Sequence, residues 1–434
     1  MIIGTALAYD FCRPYNPAMK KLLVIGYVWP EPNSSAAGSR MLQLLSCLQQ
    51  DGYQITYASP AQSSEHAVDL VALDIEPVSI EINNSSFDGF ITRLQPTAVL
   101  FDRFMMEEQF AWRVEKHCPH ALRILDTEDL HCLRLARQQQ AKHNQAFVVN
   151  QVADHQLYSD TAKREIAAIL RCDLSLMISE VEMQILQQRF RVPQHILAYV
   201  PFMLDAPSEQ PLPGFAQRQH FVSIGNFRHA PNWHAVLYLK QEIWPRIRKQ
   251  LPQAQLHVYG AYPPKKATQL HNEKQGFHIK GWVDDAQQML SNGRVLLAPL
   301  RFGAGLKGKF VDAASCKLPS VTTSIGREGL FQQRQHETLL CSDDPQEFAQ
   351  LAVNLYDDAA LWYSLHDNCH DFIRQRFNKK AHAALLLKRL AEIEQDLAEH
   401  RLSNFYGAML RHHSLKSTQY MAQWIEAKNK LPSL

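Results

Sequence analysis

Ala298-Pro299-Leu300-Arg301-Phe302-Gly303-Ala304-Gly305-Leu306-Lys307-Gly308-Lys309-Phe310-Val311-Asp312-Ala313-Ala314 decides how the rest of this chain is read. An apolar run over 295–299 ends in it, three glycines and two lysines follow, and a helical pattern runs on over 309–316. Strand, glycine-rich turn and helix start, in that order, form a βα unit whose turn faces a ligand. Glycines allow the backbone to approach an anion closely. A helix N-terminus and two ammonium groups add positive potential. A diphosphate suits that environment, with Gly303, Gly305, Lys307 and Lys309 as its cradle and Asp312 accepting hydrogen bonds from ribose hydroxyls. A solvated loop with an ordinary acidic cap is the plainer alternative. The segment is not a P-loop: Phe310 stands where G-x-x-x-x-G-K-[ST] needs a hydroxyl, so an ATPase loses its magnesium ligand.

The same alternation continues on both sides. Apolar runs at 220–224, 255–259, 278–280 and 320–323 read as strands, and 232–250 as a helix interrupted by Pro245. Helical patterns at 345–356, 361–377 and 380–400 close the series. In the first half, strands are expected at 22–27, 55–58, 98–101, 122–125, 174–178 and 196–200. Helices are expected at 39–50, 107–117, 130–143, 161–171 and 180–189. Buried strands alternating with helices predict an α/β fold of doubly wound parallel sheets. The Pro-rich, polar stretch from Pro201 to Gly214 reads as the linker. The expected organisation is a first domain over 19–205, a second over 206–385 and a helical segment over 386–434. Ligands bind outside the carboxyl ends of such strands, so two domains on one linker form a cleft suited to a two-substrate reaction.

Composition narrows the class. The chain has 434 residues, 46% hydrophobic and 20% charged, with a net charge of +2. Disorder, a collagen-like fibre and a disulfide mini-protein are excluded, and no basic field favours nucleic acid. Eight cysteines without a C-x-x-C pair read as reduced thiols in a cytosolic protein. No apolar run reaches the roughly 18 residues of a membrane span. Met19-Lys20-Lys21 makes a natural start, and the apolar run after it is too short for a signal peptide.

In the first half, Leu125-Asp126-Thr127-Glu128-Asp129-Leu130-His131 places three carboxylates and an imidazole at a strand end. Such a cluster suits acid–base work on an acceptor hydroxyl, and helix capping is the alternative. The loop Ser34-Ser35-Ala36-Ala37-Gly38-Ser39-Arg40 offers backbone N–H groups and Arg40 near the cleft, or is a plain turn capped by Ser39. Asp102-Arg103 also follows a strand, so Arg103 faces the cleft or, more plainly, forms a surface ion pair.

Ser223-Ile224-Gly225-Asn226-Phe227-Arg228-His229-Ala230-Pro231-Asn232, Gly281-Trp282-Val283-Asp284-Asp285, the stretch 298–314, and Leu318-Pro319-Ser320-Val321-Thr322-Thr323-Ser324-Ile325-Gly326-Arg327-Glu328-Gly329 resemble, in order and spacing, the nucleotide-sugar domain of family 4 ("group 1") glycosyltransferases. Trp29-Pro30 through Gly38 resembles that family's acceptor-side loop, and Gly52-Tyr53-Gln54-Ile55-Thr56 its helix-to-strand step. The resemblance covers most of 20–395. It implies the GT-B fold, two Rossmann-like domains facing each other across a cleft. It implies donor contacts from Gly225, Asn226, Arg228, Gly303, Gly305, Lys307, Lys309, Asp312 and Gly329. Ser35, Gly38 and Arg40 fall on the acceptor side, and Glu128, Asp129 and Asp126 at the reacting centre. Two departures stand out. Ala304 and Asp312 occupy the family's Glu-x7-Glu, and Asn226 and Pro231 lie where it carries Arg and Lys, so Arg228, Lys307 and Lys309 supply the charge instead. An acidic pair such as Asp126-x-Glu128 holds a metal in the other large glycosyltransferase fold. GT-B enzymes bind phosphates without one, so neither metal nor cofactor is expected.

The last 34 residues depart from that family. Arg401, Arg411, Lys416, Lys428 and Lys430 face only Glu426 and are interspersed with Phe405, Tyr406, Leu410, Tyr420, Met421 and Trp424. This tail either packs back onto the first domain or lies on an anionic membrane. The reading is a cytoplasmic enzyme, peripheral at the membrane in the second case. It moves a sugar from a nucleoside-diphosphate sugar to a hydroxyl of a glycan or lipid-linked acceptor, with retention, in cell-surface polysaccharide or lipopolysaccharide synthesis. A non-catalytic sugar-nucleotide binder and a GT-B-like epimerase are the alternatives. A Rossmann oxidoreductase lacks its G-x-G-x-x-G after the first strand.

Overall fold

Seven parallel strands form the first sheet: β1 (Lys21–Ile25), β2 (Gln54–Ser59), β3 (Glu76–Ser79), β4 (Ala98–Asp102), β5 (Leu122–Asp126), β6 (Leu174–Met177) and β7 (Leu197–Tyr199), in the order β3-β2-β1-β4-β5-β6-β7. Six more form the second: β8 (Gln219–Ile224), β9 (Leu256–Tyr259), β10 (Phe277–Gly281), β11 (Gly293–Ala298), β12 (Ser320–Thr322) and β13 (Leu339–Cys341), in the order β10-β9-β8-β11-β12-β13. The computed structural model describes residues 20–143, 152–331 and 337–430. Cys12 and the start at Met1 or Met19 lie outside them.

Strand alternation explains the layers. Leu23 and Ile25 of β1 enter one core and Leu22 and Val24 the other, so helices must cover both faces. The strand order reverses at β1/β4 and again at β8/β11. These are the switch points where a ligand crevice opens at the carboxyl edge of a doubly wound sheet.

Several elements escaped the sequence reading. β3 is Glu-Pro-Val-Ser at a sheet edge, where proline is tolerated and no apolar run forms. The helix Ser86–Leu94 follows it, and β13 is only three residues long. The helix expected over 232–250 is α-helical at Ala230–Tyr238 and Trp244–Gln250, with a wider turn, Leu239–Ile243, between them. Pro245 lacks the N–H that would continue the α ladder there.

The chain crosses between domains at two adjacent points. The Leu204 N–H donates to Phe377 O (2.8 Å) and the Lys379 N–H to Leu204 O (2.9 Å). The second domain therefore ends near Phe377, not at 385. The helix Lys379–Gln395 buries Leu386, Leu390 and Ile393 in the core beneath β1 and β2. Each such leucine contributes roughly 1.5–3 kcal/mol. Helical periodicity shows that a face is buried but not which domain buries it.

The tail packs back. Its helix Phe405–Lys430 lies on the helices Phe104–His117 and Asp160–Arg171, with Ala422 in the core. Two arginines assigned to its basic surface are pinned inward. Arg401 pairs with Asp173 (2.8 Å), and Arg411 donates to Arg171 O (3.3 Å).

Candidate functional site

The loops after β1, β4 and β5 meet the loops after β8, β11 and β12. A Cβ placed on Gly308 would sit 2.5 Å from the Ala36 Cβ, so two helix starts, one from each domain, touch there. Tyr262 OH of the second domain donates to Glu31 of the first (2.8 Å), and the Trp282 ring stacks on His66 at 3.9 Å.

On the first domain the acidic loop divides into different roles. Asp126 is fully buried at the end of β5. Arg40 Nη1 donates to both of its carboxylate oxygens, at 2.6 and 2.7 Å. Arg40, equally buried, also donates to Val200 O at 2.9 and 3.2 Å. This corrects two expectations. Asp126 carries no open acid–base function, and Arg40 does not face the cleft; together they tie β5 and the end of β7 to the helix Ala36–Gln50. A strand-end Asp and a loop Arg far apart in sequence gave no sign of pairing. Ser35, not Ser39, caps that helix, accepting from the Gly38 N–H (3.0 Å), and Gly38 packs directly on the Glu31 backbone.

Glu128 has φ +60° and Arg103 φ +70°. Both are left-handed conformations, which non-glycine residues adopt at a cost and which concentrate at functional sites. Burial, reinforced by the charge of Asp126, pushes the Glu128 carboxyl well above its usual range, against the pull of Arg40, whose Nη1 lies 3.7 Å from Glu128 Oε1. Asp129 is the opposite case. Burial alone raises it, but Arg134 at 2.7 Å and His131 outweigh that and hold it at about 2. Asp102 is no surface pair. It is buried, accepts from the Tyr27 N–H (3.1 Å), and lies 3.6 Å from Arg103 Nε.

On the second domain, Asn232 organises the cradle. Its amide donates to Asn226 O (3.1 Å) and accepts from Lys309 Nζ (2.9 Å), and it packs against Gly225. The Arg228 guanidinium lies 3.5 Å above the Tyr262 ring. Burial lowers Lys309 to about 8 against the pull of Asp312, and burial raises Asp312 to about 6 against that of Lys309. Asp312 is nonetheless an exposed residue. His229 is held at about 4 by burial. It feels the charges of Asp129, Arg134 and Arg103 from one domain and of Lys309 from the other. Among the described residues no cluster of three or more His, Cys, Asp or Glu side chains is placed to hold a metal ion.

The glycine loop departs from its expected role as an open cradle. The Gly305 N–H donates to Glu182 Oε1 (2.8 Å), and Gly303 O accepts from Arg137 (2.9 Å). Arg137 also grips Glu328 through two bonds, at 2.8 and 2.7 Å. Lys307 donates to Gly305 O (2.8 Å) and lies 3.9 Å from Glu328, committing its ammonium to the domain junction. Gly305 has φ +62°, and a Cβ there would press within 3.1 Å of Asp129, so only glycine fits. Gly329 likewise lies on Ser179, and its carbonyl accepts from Arg376 (3.2 Å). Of the expected donor contacts, Gly225, Asn226 and Lys309 gather around Asn232, Asp312 follows on the same helix, and Arg228 lies on Tyr262. Gly303, Gly305, Lys307 and Gly329 join the domains. Sequence reasoning missed Arg137 and Glu182, because a charged residue inside a helix reads as solvated and only burial gives these away; it quoted Asn232 without assigning it a role.

Residues 218–358 match the family model "Glycosyl transferases group 1". A protein from the cps region of Klebsiella pneumoniae, described as an uncharacterized 44.6 kDa protein, is 24% identical over 215 residues, 48% of this chain. The match covers 53% of that relative, about half its length. Among solved structures, Anabaena HepE in complex with UDP and glucose superposes with a TM-score of 0.63 at 11% identity, covering 86% of this chain and 99% of that one. WaaG, a glycosyltransferase involved in lipopolysaccharide biosynthesis, does so with a TM-score of 0.57 at 11% identity, covering 84% and 99%. Residues 218–358 therefore form a group 1 glycosyltransferase domain, set in a chain with the two-domain GT-B fold.

Proposed function

We propose that the chain transfers a glycosyl group from a nucleoside-diphosphate sugar to a hydroxyl acceptor, with retention and without metal. One observation carries this reading: the glycine loop that leads to Lys309 packs against the acidic loop of the first domain, a Cβ on Gly305 coming within 3.1 Å of Asp129, while His229 feels the charges of Asp129 and Arg103 from the first domain and Lys309 from the second. Lys309, Arg228 and the N-terminus of the helix Gly308–Ser315 stabilise the leaving diphosphate. Asp312 accepts from the ribose. The anomeric C–O bond breaks with its electrons going to the diphosphate, the acceptor oxygen bonds the anomeric carbon on the same face, and the acceptor proton ends on the diphosphate. Glu128 orients the acceptor through a hydrogen bond. The cps-region relative and the likeness to WaaG support a surface polysaccharide or lipopolysaccharide as product.

The acceptor is a glycan or a lipid-linked one. No described helix is long and apolar enough to cross a membrane. The outer face of the helix Phe405–Lys430 exposes Phe405, Tyr406, Tyr420, Met421 and Trp424 beside Lys416 and Lys428. Aromatic and basic side chains on one face suit peripheral contact with an anionic membrane from the cytoplasm.

The test is a panel of UDP-, GDP-, ADP- and dTDP-sugars in EDTA, with surface-glycan acceptors and proton NMR of the product. Acceptor-dependent nucleotide release with the donor's anomeric configuration retained supports transfer. Donor isomerisation without acceptor indicates an epimerase, and binding without turnover a sugar-nucleotide binder.

A further inference from the structure

Glu182 lies at the point where the two half-sites meet. It belongs to the helix Glu180–Arg189 of the first domain and is fully buried. Its Oε1 accepts from two backbone N–H groups: Leu130, directly after Glu128-Asp129, at 2.9 Å, and Gly305, in the glycine loop of the other domain, at 2.8 Å. A single carboxylate oxygen thus spans the acceptor-side and donor-side loops. Its other oxygen, Oε2, is buried without a hydrogen-bond partner among the described residues, so the side chain is held for what Oε1 does. Arg137 braces the same loop from the neighbouring helix His131–Lys142 through Gly303 O and Glu328.

We infer that Glu182 is a positioning residue that couples the two halves of the site, fixing the Glu128–Asp129 loop against the loop that leads to Lys309. Donor and acceptor groups must meet within a few tenths of an ångström, and a misplacement of about 1 Å costs roughly a hundredfold in rate. One acceptor atom shared by both loops holds that separation more directly than two independent anchors.

The structural arm of the test needs no substrate; only the kinetic arm rests on the glycosyl-transfer reading. Hydrogen–deuterium exchange of the full-length chain is measured on peptides covering 126–133 and 300–309, with the β1 peptide as reference. Glu182→Leu fills the same buried space without an acceptor, and Glu182→Gln keeps an oxygen for both N–H groups. In the leucine variant both peptides are expected to exchange about tenfold faster while β1 is unchanged. The glutamine variant restores protection. Where transfer is measured, the leucine variant loses roughly a hundredfold in kcat with little change in donor KM, and glutamine recovers it. Should Glu182→Leu not fold, Glu182→Ala replaces it. Unchanged exchange in both peptides, or faster exchange in only one, overturns the coupling. Coupled exchange in a chain that transfers no sugar leaves the joint standing and removes the transfer reading instead.

Discussion

Substituting Asn for Asp126 separates a structural carboxylate from a catalytic one. The exchange keeps the side chain's shape but removes the charge that meets Arg40 Nη1 at 2.6 and 2.7 Å, and it turns an amide N–H2 toward that guanidinium. Both partners are fully buried, so water cannot replace the lost counter-charge, and the other carboxyl beside Arg40, Glu128, is farther off at 3.7 Å. Breaking a buried pair from one side costs about 3–5 kcal/mol. At about 2–4 °C per kcal/mol for a domain of this size, the melting temperature should fall by roughly 6–20 °C. Thermal unfolding by calorimetry and by circular dichroism reads this directly. Replacing the whole pair, Arg40→Met with Asp126→Leu, should recover much of the loss, because two apolar side chains leave no charge stranded. Transfer measured well below the melting point should persist in Asp126→Asn, with its pH profile shifted because the Asp126 charge no longer raises Glu128. An unchanged melting temperature with abolished turnover would refute the argument and return Asp126 to the chemistry.

Other consequences can be checked separately. Gly305→Ala should destabilise the domain junction, since φ +62° and the nearby Asp129 both oppose a Cβ; limited proteolysis between the domains reads this as faster cleavage. Burial raises Glu165, which caps His131 and Cys132, to about 7. Its folded value therefore exceeds its unfolded one, and its contribution to stability is full below about 4.5 and lost as pH rises through 7. Glu165→Gln should accordingly gain on the wild type between pH 5 and pH 8 in thermal scans, and a difference independent of pH would contradict that sign. Replacing both Tyr420 and Trp424 with serine should lower co-sedimentation with phosphatidylglycerol vesicles while leaving the melting temperature in place, because both rings are exposed.

The architecture was legible because its signals are local. Apolar runs ending in glycine, such as the one before Gly303, mark a parallel strand and its ligand-facing turn without help from the rest of the chain. The Lys309–Asp312 pair was legible for the same reason. The junction was not. Arg137 with Glu328, Glu182 with Gly305, and Arg40 with Asp126 are pairings across long sequence separations. Each partner alone looks like an exposed charge or a free N–H. Lys307 and Lys309 make the point most sharply. Two residues apart in one motif, they read as equivalent phosphate ligands. The helix start between them turns one ammonium into the junction, where Glu328 and Gly305 hold it, and the other toward Asn232 and Asp312 in the cleft. β3 and β13 were missed because edge strands of three or four residues carry too little pattern to read.

The account stands most directly on the nucleotide site of the second domain. Titration calorimetry of UDP, GDP, ADP and dTDP in EDTA, against the wild type and Lys309→Ala, measures it. One nucleoside diphosphate should bind without metal, and the alanine variant should weaken it by about tenfold or more, the loss of one charge-assisted phosphate contact. Because the free Lys309 ammonium titrates at about 8, affinity should also fall as pH rises through that value. Binding of none of the four, or equal binding by wild type and variant, would contradict the account.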